Sequence, residues 1–456
     1  MAADKKRPAD KSRMAACRVL HAVLEEGAYA NLSSIGMLSQ PDLDALDRRF
    51  ASAMIYGTLS RVYSIDWLLG KASHKPLAKL EPWVRTILRM AVWQMIWART
   101  VSIPAAIDES VHLANWLTNP GAAGYVNATL RRLSREPFEL PTGQAVSYSL
   151  SPEIFGYLRK WYGPVEAQLL AEAFLTEDIS VTARVNCFRS SADHLIAELM
   201  AEGVAASPGR YCPEALRLDL SGRPVRGLRA WQRGDLMIQD EAAMLVGHGA
   251  SPKQGQLIID LCAAPGGKTC HLAELTADKS RILAFDINPE RLALVQESAE
   301  RLSLSSIKCR AGDATGAGMD PLLRESADLV LADVPCSGLG LLARKPEIRL
   351  SMNHLKIVGL YPLQEAILNY AATLVRPGGI LIYSTCTINP AENIERIQAF
   401  LAENANRFEL DSLTSHLPDS LLVHDDLAAS AALGWIQLLP HRHSMDGFFI
   451  ARLRRL

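Results

Sequence analysis

Residues 257–275 read LIIDLCAAPGGKTCHLAEL. The apolar run Leu257-Ile258-Ile259 closes on Asp260, a turn holding Gly266 and Gly267 follows, and a helical spacing then begins. Strand, tight loop and helix N-terminus in that order are how α/β proteins hold a nucleotide-like ligand. The two glycines let backbone approach the ligand, and the first amides of the helix supply donors. A phosphate-cradling P-loop would need a glycine where Cys262 stands, and the G-x-G-x-x-G dinucleotide pattern is absent. The plain alternative is a glycine turn without chemical meaning, since such loops often carry glycine.

Downstream, strands are expected at Leu257–Leu261, Arg281–Asp286, Ser306–Arg310, Asp328–Ala332 and Gly379–Tyr383. Helices fill the gaps, most clearly Pro289–Leu302 and Tyr361–Leu374. This alternation predicts a parallel, doubly wound sheet. Gly434–Leu439 and Gly447–Leu453 then predict an antiparallel hairpin at the sheet edge. Ligands of such sheets sit beyond the carboxyl ends of the strands. Those ends carry Asp260 with the glycine loop, Asp286, Asp313, Asp333 and Ser384 to Thr387. Asp286 is placed to accept both ribose hydroxyls, and Gly312-Asp313 to meet an adenine; helix capping is the ordinary reading of each acid alone. Together they indicate a nucleoside-bearing cofactor. S-adenosylmethionine, which has no phosphate, fits this loop better than a dinucleotide.

Upstream, residues 12 to 135 read as consecutive helices. They include Arg18–Leu24, Leu46–Leu59, Ala105–Leu117 after a break at Ile103-Pro104, and Ala128–Leu133 after Gly124–Asn127. Val84–Trp97 is apolar enough for the middle of a bundle. Arg131, Arg132 and Arg135 form a basic helix end, which is either a solvated terminus favoured by the dipole or an RNA contact. Pro137 to Pro141 reads as a linker. Beyond it lie helices at Ile154–Tyr162, Val165–Leu175 and Ala192–Glu202, and an alternating strand at Ser180–Asn186. Arg217, Arg223, Arg226, Arg229 and Arg233, with Trp231 among them, form either a basic surface for a phosphate backbone or a scattered solvated one.

The chain of 456 residues predicts two or three domains, with 49% hydrophobic and 21% charged residues as in soluble globular proteins. Neither a bilayer-spanning run nor a signal-peptide pattern is present, Met1–Arg13 reads as a frayed basic tail, and cytoplasm is the default location. A net charge of −1 leaves RNA binding to local patches. The eight cysteines contain no C-x-x-C pair, which argues against a zinc site or a disulfide framework, so no metal is expected.

Two cysteines have a special position. Asp333-Val334-Pro335-Cys336 follows the fourth strand and Ser384-Thr385-Cys386-Thr387 the fifth, so neighbouring strands bring both thiols to the ligand edge. Burial as a small apolar residue is the commoner fate of a cysteine, but these stand on loops at the ligand face. A thiolate beside a methyl donor has a definite use. Carbon 5 of a pyrimidine is a poor nucleophile until a thiolate adds at carbon 6. A carboxylic acid near N3, protonated or sharing a proton, would stabilise the adduct, and Asp333 is placed for that.

The motifs DLCAAPGGKT, DVPCSGLG with the following RKPEIR, and YSTCTINPAEN, with Asp286 and Asp313, resemble those of the Sun/Nop2/NSUN RNA cytosine-5 methyltransferases. GDLMIQDEAAML and DGFFIARL match the family's lead into and end of the catalytic domain. GYVNATLRRL resembles the closing helix of a NusB-like bundle, which marks the subgroup acting on 16S rRNA. The resemblance implies a NusB-like all-α RNA-binding domain (1–140), a small α+β linker domain (141–238) and a Rossmann-like class I methyltransferase domain (239–456). It makes Cys386 the nucleophile, Cys336 the residue that assists product release, and Asp333 a contact to the base. The cofactor would meet the backbone of Cys262, Ala263, Ala264, Pro265, Gly266, Gly267 and Lys268, along with Asp286, Asp313 and Asp333. Lys268 either reaches the base or Asp333, or caps the loop. RNA contacts fall to Arg131, Arg132, Arg226, Arg229 and Arg344. The implied partner is 16S rRNA before or during subunit assembly, with tRNA left open by the residues. No membrane partner is implied, and monomer is the default.

Two rival classes remain. Adenine-N6 methyltransferases use an Asn/Asp-Pro-Pro-aromatic motif after the fourth strand, which Asp333-Val334-Pro335-Cys336 does not supply. A non-catalytic RNA-binding protein would need neither the cofactor loop nor the two cysteines.

Overall fold

The computed structural model describes residues 9–28, 30–38, 42–136, 139–176 and 180–456. Residues 1–8 of the expected tail and residues 137 and 138 of the expected linker lie outside the described residues. The chain forms two compact units. One holds 1–178 with 221–223 and 342–351; the other holds 179–220, 224–341 and 352–456.

The first unit is helical: Lys11–Glu25, Ala30–Leu38, Ala45–Ser60, Val62–Ala72, Pro82–Ile96, Ile103–Leu117, Pro120–Arg135 and Pro152–Ala173. Its helix starts are written in the sequence. Asp44 and Asp47 form a reciprocal capping box, while Ser102 and Asn119 cap helices with proline in the first turn. Val84, Ile87, Leu88, Met90, Ala91 and Val92 are buried, which puts Pro82–Ile96 in the bundle core as its composition requires. Three expected boundaries move. The first helix begins at Lys11, inside the stretch Met1–Arg13 expected to fray, because the Asp10 side chain caps it by accepting from the Arg13 amide. Pro104 opens a helix rather than interrupting one, and Gly124–Asn127 lies inside Pro120–Arg135, whose start is fixed by the Asn119 cap.

The second unit contains two sheets. β1 (Val181–Val185), β2 (Ala205–Pro208), β3 (Ala215–Asp219) and β4 (Leu236–Ile238) form an antiparallel sheet in the order β2-β3-β1-β4. The helix Ala192–Ala201 contributes Leu195 and Leu199 to the core of this sheet. Only β1 was expected from sequence. β2 runs through exposed residues and β4 is three residues long, so neither carries a periodic signal.

The second sheet comprises β5 (Leu257–Asp260), β6 (Arg281–Asp286), β7 (Ile307–Ala311), β8 (Ala327–Asp333), β9 (Val375–Thr385), β10 (Phe408–Leu410), β11 (Trp435–Leu438) and β12 (Phe448–Arg455). Its order is β10-β12-β9-β8-β5-β6-β7, with β11 also paired to β12. β9, β8, β5, β6 and β7 are mutually parallel, and β12 joins β9 antiparallel. Alternate residues feed opposite faces, as a sheet covered by helices on both sides demands. Ile258 lies in one core with Ala273 and Val295; Ile259 lies in the other with Ile367 and Leu368. The expected C-terminal hairpin is present, but β12 is interior rather than an edge. β9 flanks one side of it, and β11 and β10 divide the other.

Candidate active site

Parallel pairing of β8, β5, β6 and β7 brings the predicted strand-end residues to one edge of the sheet. Asp260 ends β5 at 1% exposure. Its carboxylate accepts from the Thr269 hydroxyl at 2.7 Å and the Cys262 amide at 3.3 Å. Burial above all, helped by Asp333 and opposed by Thr269 and Lys268, pushes this carboxyl up to about 7.

Gly266 adopts φ +106° at the cap of the helix Gly267–Leu275, and a Cβ there would stand 3.1 Å from the Val295 backbone. No side chain caps that helix, so its first amides face the loop mouth as donors. Asp286, at the end of β6, accepts from the Asn288 amide at 2.9 Å through Oδ1. Asp313 accepts from the Thr315 amide and hydroxyl, both at 2.8 Å, through Oδ1 alone. Asp286 Oδ2 meets only the exposed Arg291 guanidinium, at 3.9 Å. A bare helix start, that carboxylate and the second oxygen of Asp313 fit an adenosyl group and its ribose. Burial raises Cys262 well above the ordinary thiol range, consistent with a loop role through its backbone.

The second half of the site lies between β8 and β9, where Asp333 pairs in register with Ser384. Asp333 accepts from Ser384 Oγ at 2.7 Å and Lys268 Nζ at 2.7 Å. Lys268 also lies over the Phe448 ring, 5.1 Å from its centroid. Burial works against its ammonium, but Asp333 outweighs this and holds the group above its ordinary value. Lys268 therefore reaches Asp333, whose two oxygens accept from Lys268 and Ser384.

Cys336 Sγ and Cys386 Sγ are 3.3 Å apart. The contact with Cys386, then burial, then the Cys386 and Glu392 charges raise the Cys336 thiol well above its ordinary range.

Sequence reasoning missed the residues that hold these loops. Glu392 is fully buried and accepts from the Ser337 amide at 2.8 Å, Gln364 Nε2 at 2.9 Å and Asn389 Nδ2 at 3.0 Å. It thus ties the Cys336 loop to the Cys386 loop. Asn393 spans the second loop, donating to the Thr387 carbonyl at 3.0 Å and Gln437 Oε1 at 2.7 Å. Gly340 donates to the Cys386 carbonyl at 3.2 Å and lies so close that a Cβ would be 1.9 Å from the Gly447 oxygen.

Arg184 on β1, fully buried, pairs bidentately with Glu274 at 2.8 Å and donates to the Gly267 carbonyl at 2.8 Å. The small sheet thereby grips the helix that starts at the cofactor loop. An arginine inside an alternating strand was the only signal.

The candidate RNA-contacting arginines are dispersed. Arg131 donates to Asn127 at 2.8 Å, and Arg132 lies 3.5 Å from Glu136. Arg344 belongs to the 342–351 segment of the helical unit. Arg226 and Arg229 are exposed in the second unit. Arg233 is occupied by Glu198 and Asp235, and the Trp231 face is covered by the Arg301 guanidinium 3.7 Å from its centroid. The segment is therefore less open to a phosphate backbone than five neighbouring arginines suggest.

A doubly wound parallel core with an added antiparallel strand, a bare glycine-led helix start and acids on the next two strands define an S-adenosylmethionine-dependent methyltransferase. The family model for the 16S rRNA methyltransferases RsmB/F matches residues 249–454. The NusB family matches 10–135, and the ferredoxin-like domain of RsmF/B-type methyltransferases matches 156–225. The chain is 34% identical to the probable ribosomal RNA small subunit methyltransferase B of Bacillus subtilis, covering 94% of this chain and 95% of that one. It is 33% identical to the ribosomal RNA small subunit methyltransferase B of Pseudomonas putida, covering 97% and 98%. Among solved structures, that of PH0851 superposes with a TM-score of 0.82 at 26% identity over 98% of this chain and all (100%) of that one. A methyltransferase homologue from Pyrococcus horikoshii gives 0.57 at 25% identity, covering 70% of this chain and 100% of that one. The chain belongs to the ribosomal RNA small subunit methyltransferase B family.

Proposed function

We propose that the protein methylates carbon 5 of a cytidine in 16S rRNA through a covalent adduct between Cys386 and carbon 6. The observation that carries this reading is the 3.3 Å approach of two cysteine sulfurs from adjacent strand-end loops, beside the Asp333–Lys268 pair. S-adenosylmethionine supplies an electrophilic methyl group when bound, and Cys262 to Lys268, Asp286 and Asp313 are the residues to hold it.

The chain's own groups divide the remaining work. Cys386 forms the S–C6 bond as a thiolate, which pushes the ring's electrons toward carbon 5. The Lys268 ammonium, shared with Asp333, is the proton source for N3, since Asp333 is occupied as an acceptor on both oxygens. Cys336 retains its proton in the resting site, facing Cys386. After transfer it serves elimination by giving that proton to the departing Cys386 sulfur as the C6–S bond breaks, while the carbon 5 proton passes to solvent, from which Cys336 is reprotonated. The target base must leave its stack to meet Cys386.

The chemistry is tested with RNA containing 5-fluorocytidine, which lacks the proton needed for elimination. Wild type should form a denaturation-resistant complex and Cys386→Ala none; an equal yield from Cys386→Ala would refute the nucleophile assignment. The substrate is tested by bisulfite sequencing of rRNA from a deletion strain. Survival of every 5-methylcytidine in 16S rRNA would refute that part.

A further inference from the structure

We propose that Cys212, Glu214 and His248 form a binding site for a divalent transition-metal ion of the zinc class, between the small antiparallel sheet and the helices behind the cofactor loop. Cys212 Sγ, a Glu214 carboxylate oxygen and a His248 ring nitrogen all lie within 4.8 Å of one another. Cys212 and Glu214 are 3% and 6% exposed. Thiolate, imidazole and carboxylate together suit zinc and its neighbours, whereas magnesium and calcium take oxygen ligands.

The spacing suits such an ion. His248 Nε2 is 2.8 Å and His271 Nε2 3.2 Å from Glu214 Oε1. Tetrahedral ligands on Zn–N and Zn–O bonds of about 2.0 Å stand roughly 3.3 Å apart. His271 is 1% exposed, and neither of its ring nitrogens makes a satisfactory hydrogen bond. A buried imidazole in that state carries a desolvation cost that needs an explanation. Its place against Glu214 is that of a group orienting a metal-bound carboxylate.

Neighbouring residues set this geometry. A Cβ at Gly247 would lie 2.5 Å from His271 Nδ1, so glycine there lets the two helices bring their histidines together. The Glu241 carboxylate fixes the turn that presents Cys212, accepting from the amides of Arg210, Tyr211 and Cys212 at 2.8, 2.6 and 2.9 Å. A carboxylate shared by two imidazoles, with the Cys212 thiol donating to the Glu241 carbonyl at 3.9 Å, is the competing account, but it leaves the buried His271 Nδ1 without a hydrogen bond. The missing C-x-x-C pair does not weigh against the site, because its ligands come from separate elements, Glu214 and His248 being 34 positions apart.

On binding, the metal replaces the Cys212 proton, which passes to solvent. The ion would clamp the turn before β3 to the helices Glu241–Ala250 and Gly267–Leu275, the second of which begins at the cofactor loop.

The test uses the full chain with Cys336→Ser and Cys386→Ser, so that the paired thiols at the active site add no signal. Stripped with a chelator and titrated with Co²⁺, it should take one equivalent and show a thiolate-to-cobalt charge-transfer band, displaced by Zn²⁺. Zn²⁺ but not Mg²⁺ should raise the unfolding midpoint. Adding Cys212→Ser should abolish the band and weaken binding more than tenfold, as should His248→Ala by affinity, while Cys309→Ser leaves both intact. A folded parent without the band, or a band that persists with Cys212→Ser, overturns the proposal. The parent titration decides even if a variant misfolds.

Discussion

Cys386 and Cys336 differ in what their removal should do, although their sulfurs are 3.3 Å apart. On the mechanism proposed above, Cys386→Ala removes the bond-forming atom and should lower turnover by about a thousandfold or more, the scale for a covalent nucleophile. Cys336→Ala leaves addition intact and impairs elimination, so it should accumulate a covalent complex with unmodified RNA. A gel under denaturing conditions reads this directly, and free turnover without adduct would exclude the release role. Asp260 gives a second prediction at this scale. Its carboxyl is held near 7 in the fold, mainly by burial, against about 3.9 in an unfolded chain. Between those values the native state keeps a proton that the unfolded state has lost. Stability should therefore fall as pH rises from about 4 to about 7 and level off above, a change on the order of 4 kcal/mol at most. Asp260→Asn mimics the neutral acid and can still accept from Cys262 while donating to Thr269. It should flatten that slope and be the more stable form at pH 8. His271 and His443, each pushed down to about 4 chiefly by burial, act in the opposite sense over the same range. The difference between variant and wild type in urea unfolding isolates Asp260; identical slopes would refute the assignment.

At the scale of elements, the site depends on two strand-end loops kept in register by a carboxylate between them. Glu392→Gln preserves shape but turns an amide donor toward either Gln364, which donates to Oε1, or Asn389, which donates to Oε2. The buried mismatch should cost about 1–3 kcal/mol. A displacement near 1 Å of either cysteine loop should lower turnover by up to about a hundredfold. Cofactor affinity, which the proposal assigns to the loop after β5 and to Asp286 and Asp313, should be unchanged in calorimetry; a parallel loss of cofactor binding would mean general unfolding instead. The same contrast marks what could be read beforehand. The parallel strands and Asp260, Asp286, Asp313, Asp333, Cys336 and Cys386 were legible because strand ends and loop motifs are local in sequence. Glu392 was not, since its partners Ser337 and Gln364 come from two other segments. Arg184 was equally hidden, because its value lies in a carbonyl 83 positions away at Gly267. β10 and the interior place of β12 escaped for a related reason: a three-residue strand has no period, and pairing choice is tertiary.

At the scale of the whole chain, the division into units does not follow the sequence. Leu342–Ser351 leaves the catalytic fold just after Leu341 and belongs to the helical unit. Arg349 is the reason this segment has a fixed place there. It is fully buried and donates to the carbonyls of Ser60, Ser149, Phe174 and Leu342, while its own carbonyl accepts from the Tyr63 hydroxyl at 3.2 Å. Ser60 ends one helix and Phe174 caps another, so a cation lies where two helix dipoles are negative and their last carbonyls lack partners. Arg349→Met keeps much of the packing but strands several buried acceptors, each costing about 1–3 kcal/mol. Arg349→Lys brings a compact ammonium that cannot spread over four carbonyls and should recover only part of the loss. The expected result is a drop of roughly 3–5 kcal/mol for Arg349→Met, the scale for breaking a buried charged cluster. Hydrogen exchange should speed up in Ala45–Ser60 and Val62–Ala72 while β5 and β6 keep their protection. Uniform loss of protection across both units would mean that they unfold as one, and unchanged exchange in the two helices would show that Arg349 does not anchor them.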